Sequence, residues 1–172
     1  MGKKDRGRQF NVGNPKEKVD GLVNELSKYK IGETGYSFFD IKQLKPVFAF
    51  DYLSLSESDL CYNSKKLKFE DLVGFLAGLK KISEFSYNYL RTTRNFRFHP
   101  IDFDDKKVSI KRSDFKRILT FKEVLLPDEQ LPTLYQIDIQ YQIEARICGF
   151  LYKGIFYIVW YDRDHIIYPQ NN

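Results

Sequence analysis

Residues 162–165 read Asp-Arg-Asp-His and follow directly on the apolar run 155–161. Two carboxylates, a guanidinium and an imidazole at a strand end can hold an anion and move a proton near neutral pH. Arg146 joins them by register. If the chain turns at Lys153-Gly154, Arg146 falls opposite residues 160–162 and converges on the same strand end. The plainer reading is that Arg146 pairs with Asp162 or Asp164 and merely pins the sheet there. His99 and His165 are the chain's two histidines, and Tyr168 follows close behind His165. Either imidazole could be a general acid or base, and either is equally explained as an incidental loop residue.

Other chemistries lack their residues. There is no GxSxG or SxxK nucleophile signature, and Cys148 lies in an apolar strand that would keep its thiol protonated. Cys61 and Cys148 are the only cysteines, expected as reduced thiols, with a disulfide as the alternative. No Gly-rich phosphate loop is present. A metal site of His99, His165 and Asp162 or Asp164 matches no ligand spacing, so neither metal nor other cofactor is expected. The remaining inventory of Arg, Lys, His and Tyr suits metal-free acid–base cleavage of a phosphodiester, with cations stabilising the charge on phosphorus. Tyr161, Tyr168 and Trp160 could stack on bases, although the core is the simpler place for Trp160.

The charge of the chain is concentrated. Residues 91–117 contain Arg91, Arg94, Arg97, Lys106, Lys107, Lys111, Arg112, Lys116 and Arg117 against Asp102, Asp104, Asp105 and Asp114. Nine cations against four carboxylates leave an excess equal to the whole chain's +5. A basic segment of this kind fits a phosphate-bearing partner, nucleic acid above all; the alternative is an ordinary solvated surface.

Several elements must position these groups. Residues 1–16 are polar and basic without periodicity and read as a flexible tail. Residues 17–172 read as a single α+β domain. It opens with an amphipathic helix within residues 15–33 that carries Val19, Leu22, Val23 and Leu26 on one face. KPVFAFDYLSL reads as a strand. KFEDLVGFLAGLKKISEF is the clearest helix, with Phe69, Leu72, Val73, Leu76 and Leu79 as its apolar stripe and Ile82 and Phe85 as candidates to continue it. Gly74 and Gly78 on it permit close approach of a neighbour. Ser83 is a candidate cap for a further helix, SEFSYNYLRTT. RNFRFHP reads as extended, VSIKRSDFKRIL fits either a strand or a short helix, and LPDEQLP is a loop. Residues 137–147 alternate strictly, with Asp138, Gln140, Gln142, Glu144 and Arg146 on a polar face, and read as one half-exposed strand. Lys153-Gly154 then turns the chain into IFYIVWY, apolar on both faces and so central in its sheet. The expected architecture is α+β, with N-terminal helices packed on an antiparallel sheet that ends in a C-terminal β-hairpin. No membrane-spanning run and no secretory signal are read, so a cytoplasmic location is expected.

The stretch EARICGFLYKGIFYIVWYDRDHIIYP resembles the C-terminal hairpin of a group of uncharacterised bacterial proteins. The likeness rests on Arg146, Gly149 and Phe150, then Phe156, Tyr157 and Trp160, then Asp162 and His165. That group is in turn distantly similar to the RelE/ParE toxins. The resemblance covers roughly the last thirty residues, and the helix before FRFHP loosely. It implies a RelE-like fold and a toxin-type, metal-independent endoribonuclease, a hydrolase of the mRNA interferase type in which the RNA 2′-OH attacks. Arg146 and Arg163 would hold the scissile phosphate with Arg97 assisting. His165 would transfer the proton, with His99 in reserve, and Tyr168 would stack or share the proton. The implied partners are RNA, as mRNA or on the ribosome, and an antitoxin protein. Two alternatives stand beside it: a non-catalytic nucleic-acid-binding protein, and a protein-interaction module such as a phage or mobile-element inhibitor.

Overall fold

Lys153 and Gly154 both have positive φ, 48° and 81°, as a two-residue type I′ turn requires. They join β4 (Glu144–Tyr152) to β5 (Ile155–Asp162), which run antiparallel with Tyr152 opposite Ile155. The computed structural model describes residues 41–55, 60, 66–119, 127–140 and 144–169. The basic tail 1–16, the expected helix within 15–33 and Cys61 lie outside the described residues.

The sheet has five strands in the order β1-β5-β4-β3-β2. β3 (Leu134–Gln140) pairs antiparallel with β4, β2 (His99–Pro100) pairs antiparallel with β3, and β1 (Val47–Ala49) pairs parallel with β5. The architecture is α+β with a mixed sheet, rather than the purely antiparallel one expected. Its β1 edge runs parallel because a long connection through the helices separates it from β5.

The eleven-residue alternating stretch is two strands. Gln140 stands opposite Glu144, so the chain reverses between them, and residues 137–140 and 144–147 lie side by side. A strict period of two continues through such a reversal because paired residues point to the same face. Nor is the polar face half-exposed: Gln136, Asp138 and Arg146 are buried.

Helices and loops cover both faces. On one face, α1 (Phe69–Ile82) and α2 (Tyr87–Thr92) set Phe75, Leu79, Ile82, Tyr87 and Leu90 against Ile137, Ile139, Ile147, Ile158 and Tyr161. On the other, α3 (Arg112–Leu119) sets Phe115 and Leu119 against Leu134, Cys148, Phe150, Val159 and Trp160. The ambiguous stretch 108–119 thus resolves to a helix at its end. α2 is capped by Ser86, whose Oγ accepts the Tyr89 N–H at 3.3 Å, and Ser83 instead closes α1.

One irregularity decides what reaches the site. Cys148 faces Trp160 while Gly149 faces Ile158, so β5 carries Val159 as an extra, bulged residue. The Val159 carbonyl accepts the Ser54 N–H at 2.9 Å. A Cβ at Gly149 would strike the Tyr157 carbonyl, so only glycine fits opposite the bulge. The bulge rephases the strand. Tyr161 turns to the α1 face, and Asp162 turns to the face that carries Arg146.

Candidate functional site

Asp138, Arg146 and Asp162 stand in register across β3, β4 and β5. All three point to the same face, and all three are buried: Arg146 is 2% exposed and Asp162 0%. Arg146 Nε donates to Asp138 Oδ1 at 3.1 Å, and its Nη1 donates to the Tyr168 carbonyl at 2.6 Å. The Asp162 carboxylate accepts the Ile166 and Ile167 N–H groups at 2.7 and 2.9 Å. That carboxylate therefore folds residues 163–168 back over the row of charges. His165 takes a left-handed φ of 57° in this return.

Around the row stand the remaining candidates. Arg97 Nε approaches Asp138 Oδ2 at 3.6 Å from the exposed side. His165 is close enough to lower both the Asp138 and Asp162 carboxyls electrostatically. The His99 and Tyr168 rings meet edge-on with centroids 6.2 Å apart, and Tyr168 donates its hydroxyl to Asp105 Oδ2 at 2.8 Å. His99 Nδ1 lies 2.9 Å from the Pro100 carbonyl oxygen. A carbonyl only accepts, so Nδ1 carries a proton and, in the neutral ring, Nε2 is the basic nitrogen.

The electrostatics follow from burial. Burial pushes the Asp138 carboxyl above its usual range, with Arg146, Arg97 and His165 pulling the other way. Burial likewise raises Asp162 against the two backbone N–H groups, Arg146 and His165. Burial also keeps the Cys148 thiol protonated, and it is a free cysteine. At the rim, the hydrogen bond to Asp105 raises the Tyr168 phenol. The Lys107 N–H and the Tyr168 hydroxyl lower Asp105.

Arg146, His165, Tyr168, His99 and Arg97 are thus gathered at one end of the sheet. The role expected of Arg146 needs correction. Its guanidinium is enclosed and hydrogen-bonded to a carboxylate and a carbonyl, which leaves it no accessible face for a phosphate. Arg163 is not gathered there. One residue beyond Asp162 it turns to the opposite face, where Nε donates to Asp71 Oδ1 at 3.1 Å and Nη1 bonds Asp164. It ties the strand end to the first turn of α1. Trp160 and Tyr161 are core residues, packed against Phe115 and Phe75 respectively.

No protein-family model, curated protein or solved structure matches this chain. The site therefore stands on its own geometry.

The basic segment divides into two groups. Arg91, Arg94, Arg97, Lys106, Lys107 and Lys111 are exposed. Arg112 lies over the Phe103 ring at 5.5 Å and 3.7 Å from Asp104, Lys116 pairs with Asp128, and Arg117 pairs with Asp114. Arg91 neighbours Tyr135 on one face of β3, and Arg97 reaches Asp138 on the other. Arg94, also exposed, lies between them in sequence. Asp105 bridges through Tyr168 to His99, and the exposed Lys106 and Lys107 follow Asp105 directly in sequence. Among the described residues, no three His, Cys, Asp or Glu side chains are grouped to hold a metal ion. Sequence reasoning missed Asp138, because it assigned that residue to a solvated face. It also missed Asp105 and Asp71, whose local bonds to the Lys107 and Lys68 N–H groups are joined by side-chain partners distant in sequence, Tyr168 and Arg163.

Proposed function

We propose that this protein binds RNA across the β2–β3 edge of its sheet. The observation that carries the reading is the exposed band Arg91, Arg94 and Arg97, continued past His99 and Tyr168 to Lys106 and Lys107. Cations at this density match a phosphate backbone, and the half-buried His99 and Tyr168 rings offer faces to unpaired bases. Arg146 has a positioning role here: it holds Asp138 and the carbonyl of Tyr168, and so fixes that ring at the rim. The test is an RNA-binding titration across salt concentrations. Binding should weaken steeply with salt, and Arg94→Ala should lower the log–log slope by about 1. Absence of binding at moderate salt would favour the protein-interaction module instead.

A second reading makes the same patch a metal-independent endoribonuclease of the RelE toxin type, acting in the cytoplasm and restrained by an antitoxin over the basic band. What favours it is the grouping of two imidazoles, a phenol and the Arg97 guanidinium around one strand end. In that scheme Arg97 replaces Arg146 and Arg163 as the phosphate ligand. His99 Nε2 or His165 takes the 2′-OH proton as the 2′ oxygen bonds phosphorus, and the 5′ oxygen departs with the Tyr168 hydroxyl proton, which the protonated imidazole then restores. Incubation of RNA with wild type and His165→Ala separates the readings. A cyclic-phosphate product lost in the variant supports cleavage, and intact RNA with both supports binding alone.

A further inference from the structure

Tyr89 is 45% exposed, yet its ring is held from two sides. Phe85 lies nearly parallel to it, with centroids 4.6 Å apart and an interplanar angle of 14°. Phe96 meets it near edge-on at 6.3 Å, and the Phe85 and Phe96 centroids are 5.3 Å apart. The local chain imposes this grouping. Phe85 precedes the cap residue Ser86, whose Oγ accepts the Tyr89 N–H itself, so the turn into α2 brings the two rings together. Phe96 is buried in the same core cluster against which Phe85 packs, and it anchors the group to the domain. A surface tyrosine standing alone needs no explanation. One backed by a parallel ring and pinned by another has given up its rotamer freedom before any partner arrives.

We infer that the ring face of Tyr89 turned away from Phe85 is a stacking subsite for an unpaired base of RNA. The inference rests on the RNA-binding reading above and narrows its substrate class to single-stranded RNA. Charge favours this occupant over an apolar peptide or a second copy of the chain. Residues 84–97 hold Glu84 against Arg91, Arg94 and Arg97. Phe96 ends the 3₁₀ turn Arg94–Phe96, and a rise of about 2 Å per residue sets the exposed Arg94 about 4 Å from it along the turn. Arg97 follows directly, in the left-handed conformation that closes the turn, and is exposed as well. A base stacked on Tyr89 brings its phosphates within reach of these guanidinium groups. Stacking face and cationic track together are how sequence-tolerant single-strand binders work. An apolar partner would desolvate the same cations without neutralising them. Duplex RNA keeps its bases stacked within its own helix and offers none to Tyr89.

Fluorescence-anisotropy titrations of the full chain test the subsite, with an oligouridylate of about 12 nucleotides and an abasic oligoribonucleotide of the same length as probes. Tyr89→Leu should weaken oligouridylate binding at least about fivefold. The same variant should bind the abasic oligomer within about twofold of wild type and keep the log–log salt slope, because no charge is removed. Tyr89→Phe, which keeps the ring, should bind both probes as wild type does. Leucine leaves an apolar side chain beside Phe85 and Phe96 at an exposed position, so the fold should hold. The wild type gives a check that needs no variant: equal affinity for the two probes overturns the inference. Equal losses on both probes in Tyr89→Leu would make Tyr89 a structural residue and overturn it as well. Unchanged oligouridylate affinity in that variant removes the subsite while leaving salt-dependent RNA binding in place. If the wild type binds neither probe, the RNA-binding reading itself falls and takes the subsite with it.

Discussion

Two buried carboxylates face one buried guanidinium in the row Asp138–Arg146–Asp162, and this imbalance dictates how the site responds to mutation and acid. Removing one member of a buried charge group leaves the others unpaired, which costs more than the group contributes when intact. Arg146→Met should destabilise the protein by about 3–5 kcal/mol at neutral pH, read by chemical denaturation. Because burial raises Asp138 and Asp162 in the folded state, their charged forms disfavour the fold above that raised range. The penalty is relieved as pH falls through the folded-state pKa values, so the deficit of Arg146→Met should shrink on acidification. A deficit constant down to the usual carboxylate range would mean that neither carboxylate depends on Arg146. Asp71 behaves in the opposite sense. Burial pushes its carboxyl up, but the Lys68 N–H and the Arg163 guanidinium outweigh this and hold it below the usual range. Its contribution is present above the unfolded-state pKa and is lost as pH falls through the lowered folded value. Asp71→Asn should therefore cost about 1–3 kcal/mol near neutrality and nothing measurable in strong acid, in matched urea melts.

α1 shows how a correctly placed element can still be turned in part the wrong way: Leu79 and Ile82 of the expected stripe are buried, while Phe69, Val73 and Leu76 are exposed. Its extent was legible from the periodicity of residues 69–82, and so was the close approach at Gly78. Which arc of an over-wide apolar surface meets the sheet was not, because Leu72 and Phe75 are equally apolar and, of the two glycines, Gly78 is the one shown in close approach to a neighbour. A Cβ at Gly78 would collide with the Ile139 side chain. Alanine gains up to ~1 kcal/mol in helix propensity there, but overpacking typically costs 1–3 kcal/mol, so Gly78→Ala should lower stability on balance. Ile139→Ala in the same chain should recover part of the loss, and a double variant no better than the sum of the singles would remove the contact as the cause. The β4–β5 turn was legible because Lys-Gly has local turn chemistry. The β3–β4 reversal was hidden because pairing preserves the alternation of faces. The bulge at Val159 left no mark in a strand apolar on both sides, yet it alone decides that Asp162, and not Tyr161, meets Arg146.

Charge summed along a sequence window treats every lysine and arginine alike, whereas folding sorts them by what stands opposite. Of the nine cations of residues 91–117, Arg97 meets Asp138 and the set on α3 meets Asp104, Asp114 and Asp128, while Lys106 and Lys107 are exposed in the segment that carries Asp105, the partner of Tyr168. A cation held by a carboxylate releases few counterions when a phosphate approaches, since its field is already neutralised. The two sets should therefore differ in their effect on the salt dependence of RNA binding, even though each substitution removes one positive charge. Lys106→Ala/Lys107→Ala should lower the log–log salt slope by about 2, whereas Lys116→Ala/Arg117→Ala should leave it within about 0.5 of wild type. Net charge is reduced equally in both variants, so a purely long-range electrostatic attraction would shift them together. Equal slopes would place the contact surface over α3 as well and remove the β2–β3 edge as its centre; a fall confined to the Lys106/Lys107 variant would locate the phosphate path beside His99 and Tyr168.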